Sequence, residues 1–370
     1  MKRTATIVGA VAVSSAALVA CGNSAEDSAS SATSAAGSAA SEATGSGSEL
    51  TGQTGQLVAE GATSQKNAIE YFGSRYSEEV PGANIAYNAT GSGNGIKNFI
   101  GNQAVFAGSD SALKDDEAQQ AAQRCGGNEA WHLPFVIGPV AIAYNLEGVD
   151  NLNLTVDNVV EIFQGTITNW NDPKIAEANP GAELPDQNIS VVFRSDESGT
   201  TDNFQKFLAA ASDGKWTGSG KAFPASVGAG ANGSTGVAEQ VNSTPGAITY
   251  VEAGYAENKA NIDFGNGPVE LNPDTVGKAL DTMAFKTQGH NMVVDADALF
   301  ASNEADSYPL VLTTYEIVCS AGYDEQTRNM VKDFLNVSLD SQDDELAAEG
   351  FIPVKGAHAD RLREAIAAIS

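Results

Sequence analysis

Apolar residues along this chain recur either every three or four positions or in short unbroken runs, and the alternation of the two predicts strands that feed helices. Ile69, Phe72 and Tyr76 share one helical face, which predicts a helix over 64–76 with Thr63 and Ser64 as candidate caps. A short strand at 85–87 leads through Gly91-Ser92-Gly93-Asn94-Gly95 into a helix carrying Ile96, Phe99 and Ile100. Another strand at 104–107 ends in Gly108-Ser109-Asp110, and a polar helix follows to about Arg124. The apolar run at 135–144 is read as a crossover between domains, and 155–165, with Val159, Ile162 and Phe163, as a helix. Further strands are expected at 189–193, 245–251 and 310–319, a loop-rich stretch with one short element at 214–236, and helices at 272–284, 326–335 and 360–369. Strand, turn and helix in repeated order point to an α/β sheet with helices on both faces.

The segment after the strand at 189–193 carries the most chemistry. Arg194 stands in the polar turn Arg194-Ser195-Asp196-Glu197, and the next helix opens on Ser198-Gly199-Thr200-Thr201. N–H groups in a first helical turn lack intrahelical partners, so with the helix dipole and an adjacent guanidinium they favour a bound oxyanion. Thr63-Ser64 and Ser92-Gly93 repeat the design of a small hydroxyl or glycine at a helix start. Each alone reads as an ordinary cap; together with Arg194 they suggest one site beyond the carboxyl ends of the strands. Gly199 suits a close backbone approach to a ligand.

Two other chemistries fit poorly. The glycines of 91–95 miss the G-x-G-x-x-G spacing of a dinucleotide fingerprint. Ser198 lacks the glycine that leads a nucleophile elbow, and His132, His290 and His358 sit in no motif that directs one at a serine. No catalytic residue, cofactor or metal is assigned, since the chain has neither a CxxC nor a His/Cys cluster.

Composition narrows the setting. With 47 acidic and 20 basic residues the formal charge is −27, which excludes a nucleic-acid partner without excluding an anion held by local dipoles and one arginine. Residues 1–21 read as a secretory signal that resembles a lipoprotein signal, ending at Cys21 as the lipidation site; an ordinary signal with an incidental cysteine is the alternative. Residues 22–49, rich in Ser, Ala and Gly, are read as a flexible tether. Cys125 and Cys319 remain as a disulfide candidate, with two buried free thiols as the other possibility.

From about Leu57 onward the chain resembles the phosphate-binding lipoproteins of bacterial phosphate ABC transporters. The resemblance rests on Glu60-Gly61-Ala62-Thr63, Thr90-Gly91-Ser92-Gly93, Phe106-Ala107-Gly108-Ser109-Asp110, Ile162-Phe163-Gln164-Gly165, Asn169-Trp170-Asn171-Asp172, Asn179-Pro180-Gly181, the segment Arg194 to Thr200, and Pro245-Gly246-Ala247-Ile248, in that order. It implies a two-lobed fold of the periplasmic-binding-protein type II class with a hinge and central cleft. Lobe I would be 50–136 with 312–370 and lobe II 137–311. It implies phosphate held by Thr63, Ser64, Ser92, Asp110, Arg194, Ser198, Gly199 and Thr200, with Asp196 fixing the arginine fork. Ser64, where many members carry an aromatic, and Gly93, where a second serine is usual, depart from the pattern.

The same resemblance implies an extracytoplasmic, monomeric receptor, anchored by lipid to the outer face of the membrane, that passes inorganic phosphate to permease subunits and performs no covalent chemistry. Asp110 would set the ligand: an ionised carboxylate only accepts hydrogen bonds, phosphate near neutral pH still carries a proton, and sulfate carries none. Asp110 is equally a candidate cap for a helix starting at Ser111. A receptor for sulfate or molybdate and a secreted phosphate-ester hydrolase are the rival readings.

Overall fold

A strand that the periodicity did not announce, Gly55–Gly61 (β1), lies between two neighbours in the main sheet. The computed structural model describes residues 49–370 apart from 225 and 303, so the predicted signal with Cys21 and nearly all of the predicted tether lie outside the described residues. After β1 come α1 (Lys66–Glu79), β2 (Ala83–Ala89), α2 (Ser92–Ile100), β3 (Ala107–Ser109), α3 (Asp115–Arg124) and the 15-residue β4 (Ala130–Tyr144). The middle of the chain forms β5 (Asn153–Thr155), α4 (Val156–Gln164), α5 (Pro173–Ala178), β6 (Ser190–Arg194), α6 (Gly199–Ala211), β7 (Ala229–Ala231), α7 (Gly233–Ser243) and β8 (Ala247–Glu252). Then follow β9 (Asn261–Asp263), β10 (Pro268–Val269), α8 (Pro273–Leu280), α9 (Ala296–Phe300), β11 (Val311–Cys319), α10 (Glu325–Asp340), α11 (Asp344–Ala348) and α12 (Gly356–Ala368).

Eight strands make one mixed sheet in the order β2-β1-β3-β11-β4-β8-β6-β7, and β10-β9-β5 form a small second sheet. β1 runs parallel to β2 and β3, and β6 runs parallel to β7 and β8. β11 and β4 are antiparallel insertions between these two parallel groups. β4 joins them by pairing with β11 over residues 130–139 and with β8 over 140–144. All nine residues of β11 are buried, as are all of β4 beyond Trp131, which is why both read as unbroken apolar runs. Cys125, closing α3, and Cys319, ending β11, form a disulfide with Cα atoms 5.4 Å apart. Among the described residues no helix is long and apolar enough to cross a membrane.

Local departures from expectation have local causes. β1 turns only Leu57 and Ala59 fully inward in its centre, too few large apolar side chains to stand out. The strand expected at 104–107 lies at Ala107–Ser109: Ala104 and Phe106 are buried as core residues, but the ladder to β1 starts at Ala107. α1 begins at Lys66 with Gln65 before it and no side-chain cap bond, so Thr63 and Ser64 are not its caps. α3 begins at Asp115, so Asp110 caps nothing. α8 ends at Leu280, short of the expected 284.

Candidate functional site

The carboxyl ends of the parallel strands β1, β2, β3, β6 and β7 are followed by Thr63-Ser64, Ser92, Asp110, Arg194 to Thr200, and Gly233-Ser234. These turns converge. Thr63 Oγ1 lies 3.0 Å from Ser234 Oγ and accepts the Ser234 amide at 3.1 Å, while Ser234 Oγ accepts from Arg194 at 3.3 Å. Ser64, the neighbour of Thr63, donates its hydroxyl to Asp110 Oδ1 at 2.7 Å. One buried constellation therefore holds both Asp110 and Arg194.

Asp110 is surrounded by hydroxyls. Thr314 Oγ1 donates to Oδ1 at 2.7 Å, Ser92 Oγ lies 3.3 Å from Oδ2 and accepts the Asp110 amide at 3.2 Å, and Asn203 Nδ2 donates to its carbonyl at 2.6 Å. Burial pushes the carboxyl up to about 6 and the nearby Glu252 adds to this, against the Ser64 and Thr314 hydroxyls and the Arg194 charge. Loss of hydration is the larger effect, so the group favours a partner that supplies a proton.

Arg194 ends β6 with its side chain almost wholly buried. Its Nε and one terminal nitrogen grip Asp196 at 2.8 and 2.5 Å, and the other terminal nitrogen reaches Thr200 Oγ1 at 3.4 Å. Burial works against the guanidinium charge, but the two-point bond to Asp196 outweighs it and raises the pKa. Asp196 is held below the usual carboxylate range: burial opposes this, and the Arg194 bond and the Gly233 amide at 3.0 Å prevail.

In the first turn of α6, Ser198 Oγ accepts the Thr201 amide at 3.1 Å and Ser198 O the Asp202 amide at 3.2 Å. The Gly199 and Thr200 amides remain as outward donors of a helix N-terminus. Gly199 is tightly packed: a Cβ there would overlap Ser92 Oγ and the Asp110 side chain. In α2 the Gly93 amide is taken by Glu197 O at 3.0 Å, and Lys97 pairs with the Glu197 carboxylate at 2.7 Å nearby. Gly93 thus contributes packing, not a donor, to the site.

Four contributors escaped the sequence reading. Thr314 sits in an apolar run, and its polarity inside a buried strand was the available signal. Asn232-Gly233-Ser234 repeats the strand, glycine, hydroxyl, helix design inside a stretch read as loops. Asn203 and Glu252 carried no local signal. The ring nitrogens of the buried His132 contact the Leu113 amide and Asn291 Oδ1, and His358 Nε2 lies 3.0 Å from Pro134 O. A cavity of about 100 Å³ beside Asp110, lined also by Ser111, Asn203, Lys206 and Lys286, shares only Asp110 with the predicted residues. Among the described residues no three or more His, Cys, Asp or Glu side chains are grouped so as to hold a metal ion.

A family model described as a PBP superfamily domain matches residues 30–342. The chain is 44% identical over 321 residues to the phosphate-binding protein PstS 3 of Mycobacterium tuberculosis (strain ATCC 25618 / H37Rv), covering 85% of this chain and 86% of that protein. A phosphate-binding protein from Stenotrophomonas maltophilia shares the fold with a TM-score of 0.63 at 22% identity, over 84% of this chain and 93% of its own. A substrate-binding protein of a phosphate ABC transporter from Clostridium perfringens, solved with bound phosphate, gives a TM-score of 0.58 at 20% identity, over 81% of this chain and all of its own.

Proposed function

The chain belongs to the PstS-type phosphate-binding proteins of the PBP superfamily, and from that premise we propose that Thr63, Ser64, Ser92, Asp110, Arg194, Ser198, Gly199 and Thr200 enclose one inorganic phosphate, with Ser234 and Thr314 beside them. The observation that carries this reading is Asp110. It is a buried carboxylate, pushed towards neutrality, facing helix N-termini that attract an anion. With its pKa at about 6 the carboxyl is still ionised at neutral pH and accepts only, so an anion that brings its own proton suits it, which favours phosphate over sulfate.

The residues fall into two groups. Thr63, Ser64, Ser92 and Asp110 belong to 50–136, which with 312–370 would form lobe I; Arg194 to Thr200 and Ser234 belong to 137–311, the proposed lobe II. Bonds between the groups, among them Thr63 to Ser234 and Ser111 Oγ to Asp202 at 2.7 Å, are the contacts that hinge closure would complete. The phosphate would then be handed to permease subunits of an ABC transporter without covalent change. The signal ending at Cys21 and the tether support a lipid-anchored, extracytoplasmic monomer.

Calorimetry with phosphate and sulfate tests this reading. The expected outcome is tight phosphate binding with no heat from sulfate, and Asp110→Asn should weaken phosphate and admit sulfate. Equal affinity of the unaltered protein for both anions would remove Asp110 from its role.

A further inference from the structure

Glu316 lies inside β11, a buried acid to which the anion site gives no task. It is 1% exposed, and neither of its carboxyl oxygens has a hydrogen-bond partner; the same holds for Oε1 of Gln65, which is wholly buried. These acceptors are gathered in one place. Glu316 pairs with Gly108 of β3, and residues directly opposite in a ladder turn their side chains to the same face. On that face a Cβ at Gly108 would overlap the Gln65 amide nitrogen and the Tyr87 hydroxyl, so glycine leaves room for both beside Glu316. Tyr87 from β2 and Asp110 from the turn after β3 are the titratable groups that interact with the acid, and neither is a cation.

The orientation of the Gln65 amide follows from its neighbours. Tyr87 donates its single hydroxyl proton to Ala62 O at 2.9 Å, so its oxygen accepts from Gln65 Nε2 at 3.1 Å. Gln65 Oε1 is left as an acceptor, and an ionised Glu316 beside it accepts as well. One proton on Glu316 supplies the donor that the group lacks. Burial favours the same form, pushing the acid up to about 8; Gln65 opposes this and the Asp110 charge adds to it.

We propose, resting on the reading that Thr63 and Ser64 hold the anion, that Glu316 is a positioning residue: as a neutral acid it donates to Gln65 Oε1, and the chain from Glu316 through Gln65 and Tyr87 to Ala62 fixes the turn that presents Thr63 and Ser64. The Ala62 amide is bonded to Gly108 O at 2.9 Å, so the turn is held on both sides. When the proton leaves, Gln65 turns its nitrogen towards the carboxylate and releases Tyr87, and the turn loses its brace.

The test is an infrared titration of the whole chain, with calorimetry of inorganic phosphate binding by it and by Glu316→Gln, whose amide keeps a donor and cannot ionise. At about pH 7 the unaltered protein should show the C=O stretch of a protonated acid, absent from the variant and fading by about pH 9. The affinity of the variant relative to the unaltered protein should rise about fivefold over the same range, a ratio in which the ionisation of phosphate itself cancels. Absence of the band from the unaltered protein overturns the inference and leaves the phosphate reading standing, and this measurement decides even if the variant fails to fold. A constant ratio with the band present also overturns it, because Glu316 is then neutral without bracing the turn. Absence of phosphate binding at every pH overturns the reading beneath it.

Discussion

Arg194 and Asp196, two positions apart, form a two-point ion pair with side chains only 2% and 5% exposed. The pair fixes the planar fork so that its remaining nitrogen stays with Thr200 and Ser234 at the site. Hydrogen bonds to charged groups contribute about 1.5–3 kcal/mol each, so Arg194→Ala should weaken phosphate binding by at least tenfold in a titration. Asp196→Ala strands a buried guanidinium and should cost about 3–5 kcal/mol in denaturant unfolding. Unchanged affinity in the first variant would show that the anion sits elsewhere.

Gly199 separates ligand geometry from helix stability. Alanine is the better helix former, so Gly199→Ala should leave the helical circular dichroism intact. The added Cβ meets Ser92 Oγ and the Asp110 carboxylate, so the two sides of the site cannot approach as they do here. We expect at least a tenfold loss of phosphate affinity, measured by calorimetry.

Stability should fall as pH rises in the ligand-free protein. Burial raises Asp110 to about 6 and Glu316 to about 8, Asp110 adding to the second; Gln65 tempers Glu316 but gives its hydrogen bond to Tyr87 at 3.1 Å. An acid raised by folding stabilises fully below its unfolded pKa, and that contribution is lost as pH climbs through the folded value. The Asp110 part amounts to on the order of 3 kcal/mol, lost between about pH 4 and about pH 6. Glu316→Gln should abolish the further decline up to about pH 8, as followed by urea midpoints.

The Cys125–Cys319 bridge spans 194 residues of sequence. Closing a loop of that length restricts the unfolded chain by about 5 kcal/mol in the chain-entropy model. The double variant Cys125→Ser, Cys319→Ser should lose stability of that order, seen as a lowered thermal midpoint, while phosphate still binds, since neither sulfur touches the site.

Some of this was written in local chemistry. The α6 start needs only Ser198 to accept the Thr201 amide and Gly199 to follow, and both are visible in four consecutive residues. β11 was legible as a strand because burial on both faces demands an unbroken apolar run, whereas the run at 135–144, read as a crossover, is the second half of the strand β4. The pairing of Arg194 with Asp196 was implied by the family resemblance alone, and the structure shows it.

What the tertiary structure decided are meetings between distant residues. Thr314 reaches Asp110 across 204 positions because β11 inserts antiparallel beside β3, and Ser234 reaches Thr63 across 171 because β7 and β1 both end at the same cleft. Glu252 gains its meaning only from burial beside Thr200, which no spacing encodes. Short-range capping and periodicity are properties of a few adjacent residues and can be read from them. Burial, and the charge balance it enforces, exists only once separate strands have delivered their ends to one place.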